Sequence, residues 1–152
     1  MTNYNADYYI EKLGLQPHYE GGWYKFIWKT DKEIPKSILG NAYSGDRPSA
    51  TVIFYLLKAG ETSAWHKLRS AEIWFWHAGG SLKMILGGSG KLPNKEKEII
   101  LGNKIDKGQQ FQAIVPADVW QTSTPCVGED FVLVSCVVSP GFHVDEFLFP
   151  EK

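Results

Sequence analysis

The sequence has little cysteine, no excess of either charge and no long apolar run, and each shortage closes off a class of function. Two cysteines, Cys126 and Cys136, cannot build the bridge framework of a small secreted scaffold. They could pair across a hairpin, but buried free thiols are the expectation. Sixteen Lys and Arg stand against seventeen Asp and Glu, a formal net charge of -1, and the cations are scattered. The basic face of a nucleic-acid binder is therefore not expected. No stretch approaches the ~20 apolar residues that span a bilayer. The segment 1–12 lacks the apolar centre of a secretory signal. A cytoplasmic protein with no nucleic-acid or membrane partner follows as the expectation. Low-complexity tracts, internal repeats and linkers are also missing, so residues 1–152 should form one domain around one core.

Helical signals are equally scarce. Asn5 can cap a helix in which Asp7 sits in the first turn and Tyr9, Ile10 and Leu13 share a face, with Gly14 placed to stop it. Residues 1–14 should thus hold a short N-terminal helix. The aromatic segment 22–30 suits a strand. The next segment, 31–48, contains Pro35, Gly40, Gly45 and Pro48 and reads as a loop with one helical turn. From about residue 50 to 147, short strand-like runs recur between turns rich in Gly and Pro: 50–57, 63–67, 72–77, 81–86, 98–101, 111–115, 119–122 and 131–138. This spacing predicts an all-β sandwich or barrel and excludes a parallel sheet with crossover helices.

Alternation along a strand decides which side chains go inward together. Ala64, His66 and Leu68 should share one face, and Glu72, Trp74 and Trp76 one face of the next strand. His66 and Glu72 are then two titratable groups enclosed by an apolar barrel. A histidine near neutrality is a natural general acid or base, and a neighbouring carboxylate would orient it. Alternatively the two hydrogen-bond each other and merely satisfy two buried polar groups. There are six tryptophans. Trp74, Trp76 and Trp120 are placed to wall a pocket for a flat or ring-shaped ligand, sugar-like or an aromatic acid. Trp120, of opposite parity to Gln121, could instead face a dimer contact. His18 and Glu20 with Gly21 and Gly22 form a compact polar turn, either structural or at a pocket rim.

The stretch from Gly60 to Gly79 resembles the first motif of the cupin superfamily, G-x5-H-x-H-x3-E-x6-G. Gly60, His66, Glu72 and Gly79 stand at the motif spacing, with Leu68 where the second His is usual. A second motif, P-x-G-x2-H, falls on Pro116, Asp118 and Gln121, so its Gly and His are both replaced. The segments 15–22, 63–66, 71–74, 115–121 and 139–142 are similar in order to a small cupin family of unknown function, with an RmlC-like fold. Tyr19, Phe26 and Ala71 depart from that family's usual residues.

The resemblance implies a double-stranded β-helix (jelly-roll) barrel, a homodimer, and a pocket whose ligand is not established. It also implies a ligand set: cupins hold a divalent metal (Fe, Mn, Ni or Zn) on alternating His, a Glu and a third His. Here only His66, Glu72 and Gln121 stand at those positions, a weak donor set. The first expectation is therefore a small organic ligand in the barrel, no cofactor, and proton transfer of the isomerase or epimerase kind at His66 and Glu72. A metal-dependent dioxygenase or decarboxylase is the second expectation, and a non-catalytic ligand-binding barrel the third.

Overall fold

The computed structural model describes residues 4–151. Its one full helix, α1 (Ala6–Leu13), has the expected signals. The Tyr8 amide donates to the Asn5 side chain at 3.0 Å, and Gly14 closes the helix at φ 66°. There follow β1 (Gln16–Pro17), β2 (Trp23–Lys29), β3 (Glu33–Ile34), the single turn α2 (Lys36–Leu39) and β4 (Arg47–Pro48). The barrel strands come next: β5 (Thr51–Lys58), β6 (Ser63–Leu68), β7 (Ala71–Gly79), β8 (Leu82–Leu86), β9 (Lys97–Leu101), β10 (Gln112–Val115), β11 (Gln121–Pro125), β12 (Phe131–Ser139) and β13 (Phe147–Leu148).

Two antiparallel sheets form the double-stranded β-helix. One is ordered β1-β2-β5-β12-β7-β10 and the other β13-β6-β11-β8-β9. The apolar strand β12 lies at the centre of the first, paired with β5 on one side and β7 on the other. Strand β8 shows the ordinary alternation, with Leu82, Met84 and Leu86 buried and Lys83 and Ile85 only partly so. Gly79 ends β7 at φ 88°, where a side chain would collide with the Phe131 carbonyl, so the last glycine of the motif is required sterically.

The interior is not uniform. Tyr55, Leu57, Trp74, Leu82, Met84, Leu101, Val115, Val132 and Val134 form the main apolar core. Polar side chains are enclosed as well: His66, Glu72, Gln121, Ser63 and Ser123 are all buried. Helix α1 packs outside the barrel, where Tyr9, Ile10 and Leu13 meet Leu56, Phe131 and Leu133.

Two local expectations are corrected. Ala64 does not share the inward face of His66 and Leu68. Gln121 opposes His66 while Ser123 opposes Ser63, so β6 carries an extra residue, a bulge that turns Ser63 inward and leaves Ala64 exposed. The strand expected at 119–122 begins only at Gln121 and continues to Pro125. Before it, Asp118 adopts φ 59°, the left-handed conformation of the glycine it replaces, and the Trp120 amide donates to the Gly88 carbonyl, outside the ladder. Cys126 and Cys136 are free thiols. No helix among the described residues is long and apolar enough to cross a membrane.

Candidate functional site

The barrel holds a cavity of about 220 Å³. Strands β5, β6, β7 and β12 supply Thr51, Ile53, His66, Leu68, Glu72 and Cys136 to its wall. The 18–20 turn and β2 add His18, Tyr19, Glu20, Tyr24 and Phe26, and the C-terminal segment adds Phe142 and Phe147.

His66 is buried and held on two sides. Its Nδ1–H donates to the Ala64 carbonyl at 2.8 Å, a bond the bulge makes available, and its ring stacks on Phe147 at 4.7 Å and 8°. The carboxylate of Glu20 lies 3.2 Å from the same Nδ1. That assignment fixes the tautomer and leaves Nε2 a lone pair, which no described residue engages. His18 has the opposite arrangement. Its Nδ1 accepts the Glu20 amide at 3.0 Å, so its Nε2 carries the proton. The cavity therefore has one imidazole acceptor and one imidazole donor. Burial holds both rings neutral, each lowered to about 4, with the neighbouring His66 pushing His18 down further.

Glu20 and Glu72 are both deeply buried. Burial pushes Glu72 up to about 7, against a hydrogen bond from the Gln121 amide at 2.7 Å that favours its charged form. Glu20 rises well above the usual range through burial and then through repulsion from Glu72, and its Oε2 has no hydrogen-bond donor. Gly21 positions Glu20: it sits at φ 105° where a side chain would collide with the Thr62 carbonyl, and its own carbonyl accepts from the Tyr55 hydroxyl.

A conserved-family model described as "Cupin superfamily (DUF985)", Cupin_5, matches residues 7–150. The chain belongs to this cupin family. A hypothetical protein from Leishmania major is similar over 96% of this cupin and 87% of its own chain, at 26% identity and a TM-score of 0.84. A Shewanella oneidensis protein is similar over 96% and 84%, at 32% identity and a TM-score of 0.82. A cupin 2 conserved barrel domain protein from Rhodopseudomonas palustris shares the fold at 11% identity, over 90% and 73%, with a TM-score of 0.57. No curated protein matches the sequence.

The cupin's residues do not fit the metal that the superfamily motif would hold. Leu68 lines the cavity with carbon where a second imidazole would stand. Gln121 turns its N–H towards Glu72 and leaves its carbonyl oxygen without a partner. No group of three or more His, Cys, Asp or Glu among the described residues is arranged to take an ion.

His66, Glu72 and Leu68 do meet at the cavity, whereas the other sequence-proposed residues lie elsewhere. Trp74 is 1% exposed, packs in the main apolar core and is not among the residues lining the cavity. Trp76 is half-buried and donates to the Gly80 carbonyl at 2.9 Å. Trp120 is neither pocket wall nor dimer surface: it is buried, donates to the Gly90 carbonyl at 2.8 Å and lies under the Lys67 ammonium. Gln121 stands behind Glu72 and is not among the lining residues. The carboxylate beside His66 is that of Glu20, and no hydrogen bond joins His66 to Glu72. Strand parity could not show this, because Glu20 reaches the cavity from a turn. The compact run His18-Tyr19-Glu20-Gly21-Gly22 was the available signal; Phe142 stood in a family-like segment that pointed to no pocket, and Phe147 gave no signal.

Proposed function

We propose that the cavity binds a small organic carbonyl compound and that His66 Nε2 moves a proton at the carbon next to the carbonyl. One observation carries the reading: His66 has its Nδ1–H fixed by Ala64 and backed by Glu20, leaving Nε2 as a free base inside an enclosed cavity. In this scheme the C–H proton passes to Nε2 while the bonding pair moves into the carbonyl to give an enolate. His18 Nε2–H donates to the oxygen where that charge develops. Return of the proton to either face completes an isomerisation or epimerisation. Glu20 lies 3.2 Å from the Nδ1 of the ring that takes the proton; Glu72 and Cys136 shape the wall. Neither Lys nor Arg lines the cavity, which favours an uncharged or cationic carbonyl compound over the aromatic acid suggested by the sequence.

The test is proton NMR of small ketones and amino ketones incubated with the protein in D2O. Enzyme-dependent loss of the α-proton signal is expected, and His66→Gln should slow it by about 10²-fold or more. Saturable binding with no exchange for any carbonyl compound would instead mark a non-catalytic barrel.

A further inference from the structure

We propose that this cavity recognises a small organic monocation, an amine or quaternary ammonium compound. The assignment rests on reading the cavity as a ligand site and is independent of the proton transfer. Its titratable lining consists of Glu20, Glu72, His18, His66, Tyr19, Tyr24 and Cys136, and none of these holds a fixed positive charge. An anion entering here would lose its water and meet two carboxyl groups. A cation would meet the carboxyl groups of Glu20 and Glu72, both of which line the cavity and are 8% and 6% exposed. A buried carboxyl with no cation beside it is driven towards its neutral form, and a cationic ligand supplies the charge that favours the ionised one.

The rest of the wall has matching chemistry. Tyr19, Tyr24, Phe26, Phe142 and Phe147 are aromatic, and their ring faces attract a desolvated cation. Tyr19 and Phe26 are 55% and 52% exposed, so two aromatic rings of the lining also face solvent. The ionisation states agree. Burial raises both Glu72 and Glu20, so the pair is only partly ionised near neutral pH, and a bound cation would favour its ionised form. Both imidazoles stay neutral, so neither opposes a positively charged ligand.

Choline, its uncharged isostere 3,3-dimethylbutanol and the anion 3,3-dimethylbutanoate separate charge from shape. Isothermal titration of the wild-type protein with each at neutral pH should give choline the tighter binding over the alcohol by about tenfold or more, with no saturable binding of the acid. Glu20→Gln and, separately, Glu72→Gln should each lower the choline-to-alcohol ratio severalfold; the wild-type ratio decides the matter if either variant fails to fold. Alcohol binding as tight as choline would overturn the charge assignment and leave the ligand cavity standing. Failure of all three probes to bind would also overturn it, while deuterium exchange at His66 decides the proton-transfer reading separately.

Discussion

At the scale of single residues, the site is governed by the cost of burying ionisable groups. Glu72 has a folded value of about 7, above its ordinary 4.5, because the barrel penalises its charged form. The folded protein therefore holds a proton that the unfolded chain releases. The associated stability is complete below about pH 4.5 and is lost as pH rises through 7. His66, lowered from 6.5 to about 4, has the opposite sign: its contribution is present above 6.5 and is lost as pH falls towards 4. Glu72→Gln keeps an acceptor for the Gln121 amide and removes the titration. It should leave stability little changed near pH 4.5 and raise it at pH 8 by an amount on the order of 3 kcal/mol. Urea melts at the two pH values check this; an equal change at both would show that Glu72 is not strongly shifted.

At the scale of elements, the cavity depends on two segments outside the barrel ladder, the 18–22 turn and the C-terminal strap. The strap is β13, which pairs Phe147 with Leu68 and so places its ring on His66. Just before it, Glu146 accepts from Arg47 Nε at 2.8 Å and Nη2 at 2.5 Å, both side chains being almost fully buried. Burial alone would raise Glu146, but the bonds from Arg47 and Ser44 hold it below the usual range. Removing one partner leaves the other charge buried and alone. Glu146→Ala should therefore destabilise by about 3 kcal/mol or more, and Arg47→Met combined with Glu146→Leu should recover most of that loss. A double variant as unstable as the single one would argue against the pair as the cause. At the other end of the chain, Asn5→Ala should cost about 1 kcal/mol, since it removes the acceptor for the Tyr8 amide. Thermal melts read that change.

At the scale of the whole molecule, the outer face of the six-stranded sheet is only half covered. Helix α1 seals the part around Leu56 and Leu133. Beyond it an apolar row crosses five strands in register: Trp28, Val52, Val137, Ile73 and Ile114. Trp28 and Ile114 are 52% and 59% exposed. A continuous apolar strip of this kind favours burial against a second copy. A homodimer is therefore expected in sedimentation velocity, and Ile73→Arg should shift it to monomer without changing the secondary structure seen by circular dichroism. A wild-type protein that sediments as a monomer throughout the micromolar range would rule the interface out.

The strand pattern alone determined an all-β sandwich or barrel, because short alternating strands bounded by Gly and Pro have few other stable arrangements. The resemblance of the chain's motifs to the cupins selected the double-stranded β-helix barrel. The sequence also determined that His66, Glu72 and Leu68 face inward, since parity is a local property of each strand and the Gly60–Gly79 spacing aligns two strands. The helix Ala6–Leu13 was legible for the same reason, its cap and stop lying within a few residues. Only the tertiary structure decided how deep each inward side chain sits. Trp74 shares a face with Glu72 yet packs in the apolar core and does not line the cavity, and no periodicity encodes that difference. Only the tertiary structure, too, brought Glu20 to His66 and Phe147 over it. Those contacts join a turn, a bulged strand and the chain's last segment, and they exist once packing has closed the barrel.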